Sequence, residues 1–405
     1  MKEQPALKRA LSLPMLVFYG LGTTIGAGIY ALTGKVAGVA GYLAPFSFLI
    51  AALMVGFTAC SFAEMSARFP RAAGSALYVR EGFSSRTLST MVGLLVVLSG
   101  LTSAAALVIG FTGYFSQLVA IPADTVIVTI TLLMGGLAAW GIRESVAAAA
   151  LVTLIEVGGL LLVIGVNLES LENLPVLWSQ IIDSTELEWG AVYFGAILAF
   201  YAFIGFEDMV VVAEEVKEVE HNLPRAILLT LTITTLLYTT LLVVAVTTLS
   251  PAELAASEAP LATLYSKGTG GEATILNLIG MFAIINGALI QTIMASRLLF
   301  GLASSGQLPR ILARINPFTH TPLPATGLAT GAVLALALVG GLAPLAATTS
   351  LLMLGVFALV NLALLKVKRR QPRPEGIRVY PAWVPALGFL VSAGFVIFEV
   401  IGKIR

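Results

Sequence analysis

Three carboxylates stand where the neighbouring residues offer them no water. Glu156 lies in LVTLIEVGGLLLVI, and Glu207 and Asp208 follow one another in AFYAFIGFEDM, residues 199–209. An ionisable side chain deep in an apolar, membrane-length segment costs about 2.5–3.5 kcal/mol on insertion, so such groups face a cavity, find a partner or carry a proton. Shielded carboxyls can exchange a proton near neutral pH, which makes Glu156 a candidate proton carrier. Two other readings stay open: an oxygen ligand for sodium together with Ser296, or a structural partner of Arg297. Successive residues on a helix point about 100° apart, so Glu207 and Asp208 do not both enter one cavity. Only one of them need be functional.

A second pattern is a concentration of glycine inside an apolar segment. Residues 20–30 read GLGTTIGAGIY, with four glycines and two threonines. Each glycine costs about 1 kcal/mol relative to alanine within a helix, which makes local unwinding easy. Unwound backbone in a membrane lines a cavity or is buried in protein, and freed N–H groups at a half-helix start attract a carboxylate. The competing reading is a small-residue face that lets helices approach closely. The stretch around Gly205, with Phe200, Tyr201, Phe203 and Phe206, supplies a matching break five spans later. Paired interruptions in two halves of a chain point to an inverted-repeat transporter with its site at the bilayer midplane.

The rest of the chain supplies the helices that these breaks require. Of 405 residues, 58% are hydrophobic and 11% charged, with a mean hydropathy of +0.96. Soluble domains carry about 45–50% apolar and roughly 25% charged residues, so this is a polytopic membrane protein. Uninterrupted apolar stretches fall at about 14–40, 43–65, 89–119, 125–142, 145–167, 191–213, 226–249, 273–302, 324–343, 345–366 and 381–402. Runs of this length are helices, since strands of a membrane barrel are about ten residues and alternate. Arg68, Arg71, Arg80, Arg86, Arg143, Lys217, Arg225, Arg310, Arg314 and the run KVKRRQPR (366–373) share one side, against Lys35, Lys267, Lys403 and Arg405 on the other. The positive-inside rule then puts the N-terminus in the cytoplasm. The basic run reads as a stop-transfer cluster or a contact for anionic lipid headgroups. Met1–Ala10 is short and polar, and the first span is too long for a cleaved signal peptide.

Several classes of function are excluded or disfavoured. A net charge of +1 advertises no nucleic acid. One cysteine, Cys60, permits no disulfide within the chain, and His221 and His320 are far apart, so no metal site or cofactor is expected. No nucleophile with its base is apparent, which argues against an enzyme. Glu64 pairs naturally with Arg68 at i+4.

Four stretches resemble the amino acid, polyamine and organocation (APC) superfamily of transporters, in its amino acid permease branch. They are GLGTTIGAGIY (20–30), FAEMSARFPRAAGSALYV (62–79), FIGFEDMVVVAEEVKEVEHNLPRAI (203–227) and ASRLLFGLASSGQLPRILARI (295–315). The resemblance implies an all-α membrane protein of about 11 helices built as a five-plus-five inverted repeat with helices 1 and 6 discontinuous. Residues 1–405 would form one transmembrane domain, with a first repeat over about 14–167, a second over about 191–366 and an extra helix at about 381–402. Backbone N–H groups of Gly26, Ala27 and Gly28, beside Ile25, would hold a substrate carboxylate. The carbonyls of Thr24, Tyr201, Ala202 and Ile204, with Phe203 between them, would hold the ammonium. Tyr201, Phe206 and Glu207 are the gating candidates, and Ser103, Asn286 and Gln291 are possible pocket residues. Relatives often have a lysine where this chain has Glu156, so their lysine mechanism is not assumed here.

The expected activity is secondary active transport of an α-amino acid across the cytoplasmic membrane, coupled to protons or, alternatively, sodium. An exchanger or carrier of cationic amino acids or polyamines is the alternative, and a sensor that binds without transport the alternative of another class. Expected partners are the small-molecule substrate and membrane lipid, with the protein a monomer or homodimer.

Overall fold

The computed structural model describes residues 11–71, 74–140, 146–175, 177, 179, 189–372 and 374–404. Arg143, Arg373 and Arg405, which enter the charge-asymmetry argument, and residues 1–10 lie outside the described residues. The described elements are helical, joined by turns and one isolated bridge between Leu11 and Val216. Seven helical stretches are long and apolar enough to cross a membrane, and four further apolar helices are shorter.

Eleven apolar helices follow the expected order. They are α1 (Leu13–Ala40), α2 (Ala44–Arg68), α3 (Arg86–Ser116), α4 (Ala123–Trp140), α5 (Val146–Val166), α6 (Trp189–Tyr201), α7 (Val219–Thr248), α8 (Thr274–Ser304), α9 (Leu323–Val339), α10 (Leu342–Arg370) and α11 (Trp383–Ile404). Short helices over Gly74–Phe83, Pro251–Ala256 and Pro260–Thr269 lie in the connections. Starts are marked by local chemistry: proline opens α1, α2 and α9, where a missing N–H does no harm, and the Ser85 hydroxyl accepts from Leu88 N–H at 3.2 Å to cap α3. α7 begins seven residues earlier than expected, because the polar sequence VEHNLPR continues the helix with Pro224 inside it.

Helix neighbours obey a regularity that no single segment reveals. Contacts of α1 with α7, α1 with α5, α3 with α10 and α5 with α7 recur as α6 with α2, α6 with α10, α8 with α5 and α10 with α2. The pairs α1–α6, α2–α7, α3–α8 and α4–α9 map onto themselves. Exchanging each of α1–α5 with the helix five places later therefore leaves these neighbour relations unchanged. α11 stands outside the exchange, packing on α2 and α10, with the Phe395 ring stacked 4.4 Å from that of Tyr193 on α6.

The two expected interruptions fare differently. Beyond Tyr201, the N–H groups of Ala202, Phe203 and Ile204 donate to carbonyls three residues back at 3.0–3.2 Å, Gly205 takes φ +126°, and a 3-10 segment runs over Phe206–Glu215. That φ suits only glycine, and a Cβ there would strike the Thr23 carbonyl. α1, in contrast, is helical without interruption from Leu13 to Ala40. Its glycines serve the competing reading: a Cβ on Gly28 would stand 2.8 Å from the Ala202 Cα, so the small residue lets α1 meet the α6 break directly. Glycine lowers the cost of unwinding without compelling it.

The basic run begins within the last turns of α10 and turns one of its described cations, Lys368, into the protein, while Lys366, Arg369 and Arg370 are exposed. Lys368 is buried and donates to both Glu64 carboxylate oxygens at 2.6 Å, Lys366 lies 4.0 Å from the Phe83 ring centre, and Arg370 Nη1 donates to the Glu81 carbonyl at 3.2 Å. Helix-end basic groups here also complement the α10 dipole.

Candidate functional site

The α6 break meets α1, α3 and α8 around a small cavity of about 30 Å³, lined by Thr24, Gly28, Ser103, Tyr201, Asp208 and Gln291 among others. A smaller cavity adjoins it, sharing Ser103, Ile204, Asp208 and Gln291 and extending to Glu207 and Thr349. About 10–15 Å³ of such volume holds one water, so an amino acid enters only if these helices move apart. Among the described residues, no Lys, Arg or His lines either cavity. Carboxyl, amide and hydroxyl groups supply the polar part of the wall.

Two tyrosines fix the backbone around this space. The Tyr201 hydroxyl lies 2.9 Å from Ser103 Oγ and donates to the Ser103 carbonyl at 3.2 Å, tying α6 to α3. From α7, the Tyr238 hydroxyl reaches the Thr24 and Ala202 carbonyls, each at 3.1 Å. Those are two of the four carbonyls expected to receive a substrate ammonium. A single phenol bridges them in this conformation. In an unbroken α1 the N–H groups of Gly26, Ala27 and Gly28 are likewise spent on carbonyls one turn back. The Thr24 hydroxyl, only 3% exposed, has no hydrogen-bond partner among the described residues.

Of the adjacent acids, Asp208 lines both cavities and Glu207 only the smaller one. Glu207 Oε2 accepts from the Gly205 N–H at 2.9 Å, stapling the turn that precedes it. Phe206, expected as a gate, is enclosed by Phe62 and Phe357, ring centres 5.6 and 5.5 Å away. Phe203 points to Phe48 and Tyr238, and Ile25 is fully buried without lining either cavity. Ser103 and Gln291 are in the cavity wall, whereas Asn286 is not.

Asn286 belongs instead to the surroundings of Glu156. That carboxyl is fully buried, lies beside the Asn286 amide and makes no well-formed hydrogen bond through either oxygen. The Tyr30 hydroxyl donates to the Glu156 backbone carbonyl at 2.6 Å, and the Tyr114 hydroxyl to the Tyr30 carbonyl at 2.9 Å, linking α5 through α1 to α3. Arg297 is exposed, and among the described residues no ion pair involves Glu156. Ser296, considered as a sodium ligand, is 2.8 Å from Thr326 on α9. Sequence reasoning did not single out Tyr238, although a lone tyrosine within TITTLLYTTLL was a visible signal.

Residues 11–403 match the family described as "Amino acid permease". The chain is 26% identical to the branched-chain amino acid permease BcaP of Bacillus subtilis (strain 168), covering 99% of this chain and 93% of that protein. It is 31% identical to the vacuolar cationic amino acid transporter 2 of Arabidopsis thaliana, over 92% of this chain and 62% of the plant protein. A methylthioribose transporter of Bacillus subtilis (strain 168) is 27% identical over 97% of this chain and 88% of its own. With nearly its whole length matched, and with helices in the order the motifs demand, the chain belongs to the amino acid permease family.

Proposed function

We propose that the protein moves an α-amino acid across the cytoplasmic membrane by alternating access, driven by protons, with its N-terminus in the cytoplasm. The observation that carries the coupling is Glu156, a fully buried carboxyl without a well-formed hydrogen bond, attached through Tyr30 to the helix that lines the cavity. Burying a charge without donors is far costlier than burying a neutral acid, so a proton taken up there and released after a helix movement would link the two events. Thr24, Ser103, Tyr201, Asp208 and Gln291 are the substrate-facing groups in this reading. The N–H groups of Gly26, Ala27 and Gly28 join them only if α1 unwinds in another conformation.

Uptake of labelled L-isoleucine and L-arginine into proteoliposomes, under an imposed pH gradient and then a sodium gradient, tests this. Proton-driven accumulation that Glu156→Gln abolishes while binding persists is the expected result. Accumulation under sodium alone, or indifference to Glu156→Gln, overturns the coupling. A second reading, a carrier of cationic amino acids, is favoured by Asp208 in a cavity wall without basic residues, and preference for L-arginine over L-isoleucine would select it.

A further inference from the structure

The connection after α7 is seated against the end of the molecule that carries Lys35. Residues 250–260 include the helix Pro251–Ala256, whose Leu254 carbonyl abuts Gly34 of α1 and whose Ala255 Cβ would be 2.7 Å from a Cβ on Gly38. The following Glu258 carbonyl abuts Gly113 of α3. The segment is internally braced: the Ser250 hydroxyl accepts from Glu253 N–H at 3.3 Å, Glu253 Oε2 accepts from Ser250 N–H at 2.8 Å, and Ser257 Oγ is 2.7 Å from Thr263 Oγ1. It forms a cap over α1 and α3, shaped by its own hydrogen bonds.

Beside this cap lies a cavity of about 290 Å³ between α1, α3, the start of α4 and the start of α10, close to the lower bound of about 300 Å³ for small-molecule sites. It is much roomier than the central cavity. Lys35 from α1 and Glu258 from the cap line it, with Thr112, Ser116 and Ser257. Lys35 makes one long hydrogen bond, 3.4 Å to the Ala255 carbonyl, and the two charged groups form no ion pair with each other. Lys35 follows Gly28 by seven residues on the same helix, about 10 Å along its axis.

We propose that this cavity is a second binding site, selective for the dipolar backbone of a free amino acid, with Lys35 receiving the carboxylate and Glu258 the ammonium. Two opposite charges that line one cavity without pairing disfavour a simple anion or a simple cation, because either occupant would leave one charge facing its like. A dipolar ion satisfies both. Hydroxyls at Thr112, Ser116 and Ser257 offer further acceptors for the ammonium protons. Glu258 belongs to the cap and Lys35 to α1, so an occupant bridges a connecting segment to a helix that lines the central cavity. The inference rests on the reading of the protein as an amino acid carrier, and it adds a place where substrate waits beside the closed central cavity.

The test is equilibrium binding of labelled L-isoleucine and L-arginine to the purified full chain, alongside uptake by the same preparation in proteoliposomes. Wild type is expected to bind a second equivalent of whichever amino acid it transports, and both Lys35→Met and Glu258→Gln are expected to lose that equivalent. Because Glu258 is exposed, Glu258→Gln should keep the wild-type melting temperature, which secures the test if Lys35→Met fails to fold. The matching amines without a carboxyl, 2-methylbutylamine and agmatine, should leave the second equivalent in place. Uptake with a single bound equivalent, or a second equivalent that survives Glu258→Gln, overturns the second site and leaves the transport reading standing. Absence of both binding and uptake overturns both.

Discussion

Glu64 and Glu156 are equally buried, each fully shielded from solvent, and oppositely wired. Glu64, near the end of α2, accepts from Arg68 Nε and Nη2 at 3.0 and 2.7 Å, from Lys368 at 2.6 Å on both oxygens, and from the Tyr380 N–H at 2.9 Å. Arg68 continues to the Gln371 carbonyl at 2.9 Å and Lys368 to that of Tyr380 at 2.7 Å, so α2, α10 and the connection to α11 meet at one carboxylate. Glu156 has the Asn286 amide nearby and no bond of good geometry. A charge removed from water is stabilised by donors and opposite charge, and a carboxylate with all of them is a structural joint. Glu156 has no counter-charge among the described residues and no bond of good geometry, and that contrast is the ground on which it is proposed as the proton carrier.

The contrast is broken most severely by removing the joint. Glu64→Ala leaves two cations at a buried position and is expected to destabilise the protein by about 3–5 kcal/mol. Thermal unfolding in detergent measures this, and a change no larger than that of a surface substitution would mean the network is ornamental. Asp208→Asn comes next, with an expected tenfold loss of affinity for a cationic substrate, about 1.4 kcal/mol. Competition binding with L-arginine against L-isoleucine reads it, and an equal loss for both would assign Asp208 to the common backbone of the substrates. Glu156→Gln sharpens the comparison from the other side. With no partner to lose, its stability should stay within about 1 kcal/mol of wild type, while proton-driven uptake disappears.

The smallest expected effect concerns an exposed acid. Glu253 is held below the ordinary carboxylate range by hydrogen bonds from the Ser250 hydroxyl and N–H, with Lys267 adding to the shift. A folded-state value below the unfolded one means that the cap is fully supported above the ordinary carboxylate range and weakens as pH falls through the depressed value. Hydrogen exchange at residues 251–256 should accelerate on acidification, and Glu253→Gln should abolish that pH dependence.

Legibility from sequence followed the range of each interaction. The Glu64–Arg68 pair is an i,i+4 relation and could be read directly, whereas Lys368 lies 304 positions from Glu64 and was visible only as part of a basic run. The α6 break was announced by Gly205 between aromatics. α1 carried an equally strong glycine signal and stayed helical, because small residues favour unwinding and close packing alike, and the partner surface at Ala202 decides between them. For Glu207 and Asp208, the α-helical offset predicted that only one enters a cavity; in the 3-10 segment both line the smaller cavity, and only Asp208 of the two lines the larger. The Gly205 N–H draws one Glu207 oxygen into the turn, and Asp208 is left to line both cavities.

The exchange relation among the first ten helices bears on energy as well as shape. The exchange relates the halves in their arrangement and not in their side chains, so the two ends of the molecule differ in what holds them. Parts without a counterpart are the plainest source of that difference. α11 is such a part, and so is the junction of Glu64, Arg68, Lys368 and Tyr380, which closes α2 onto α10 at one end of the molecule. Changing them would loosen that end without altering a residue that lines the central cavity.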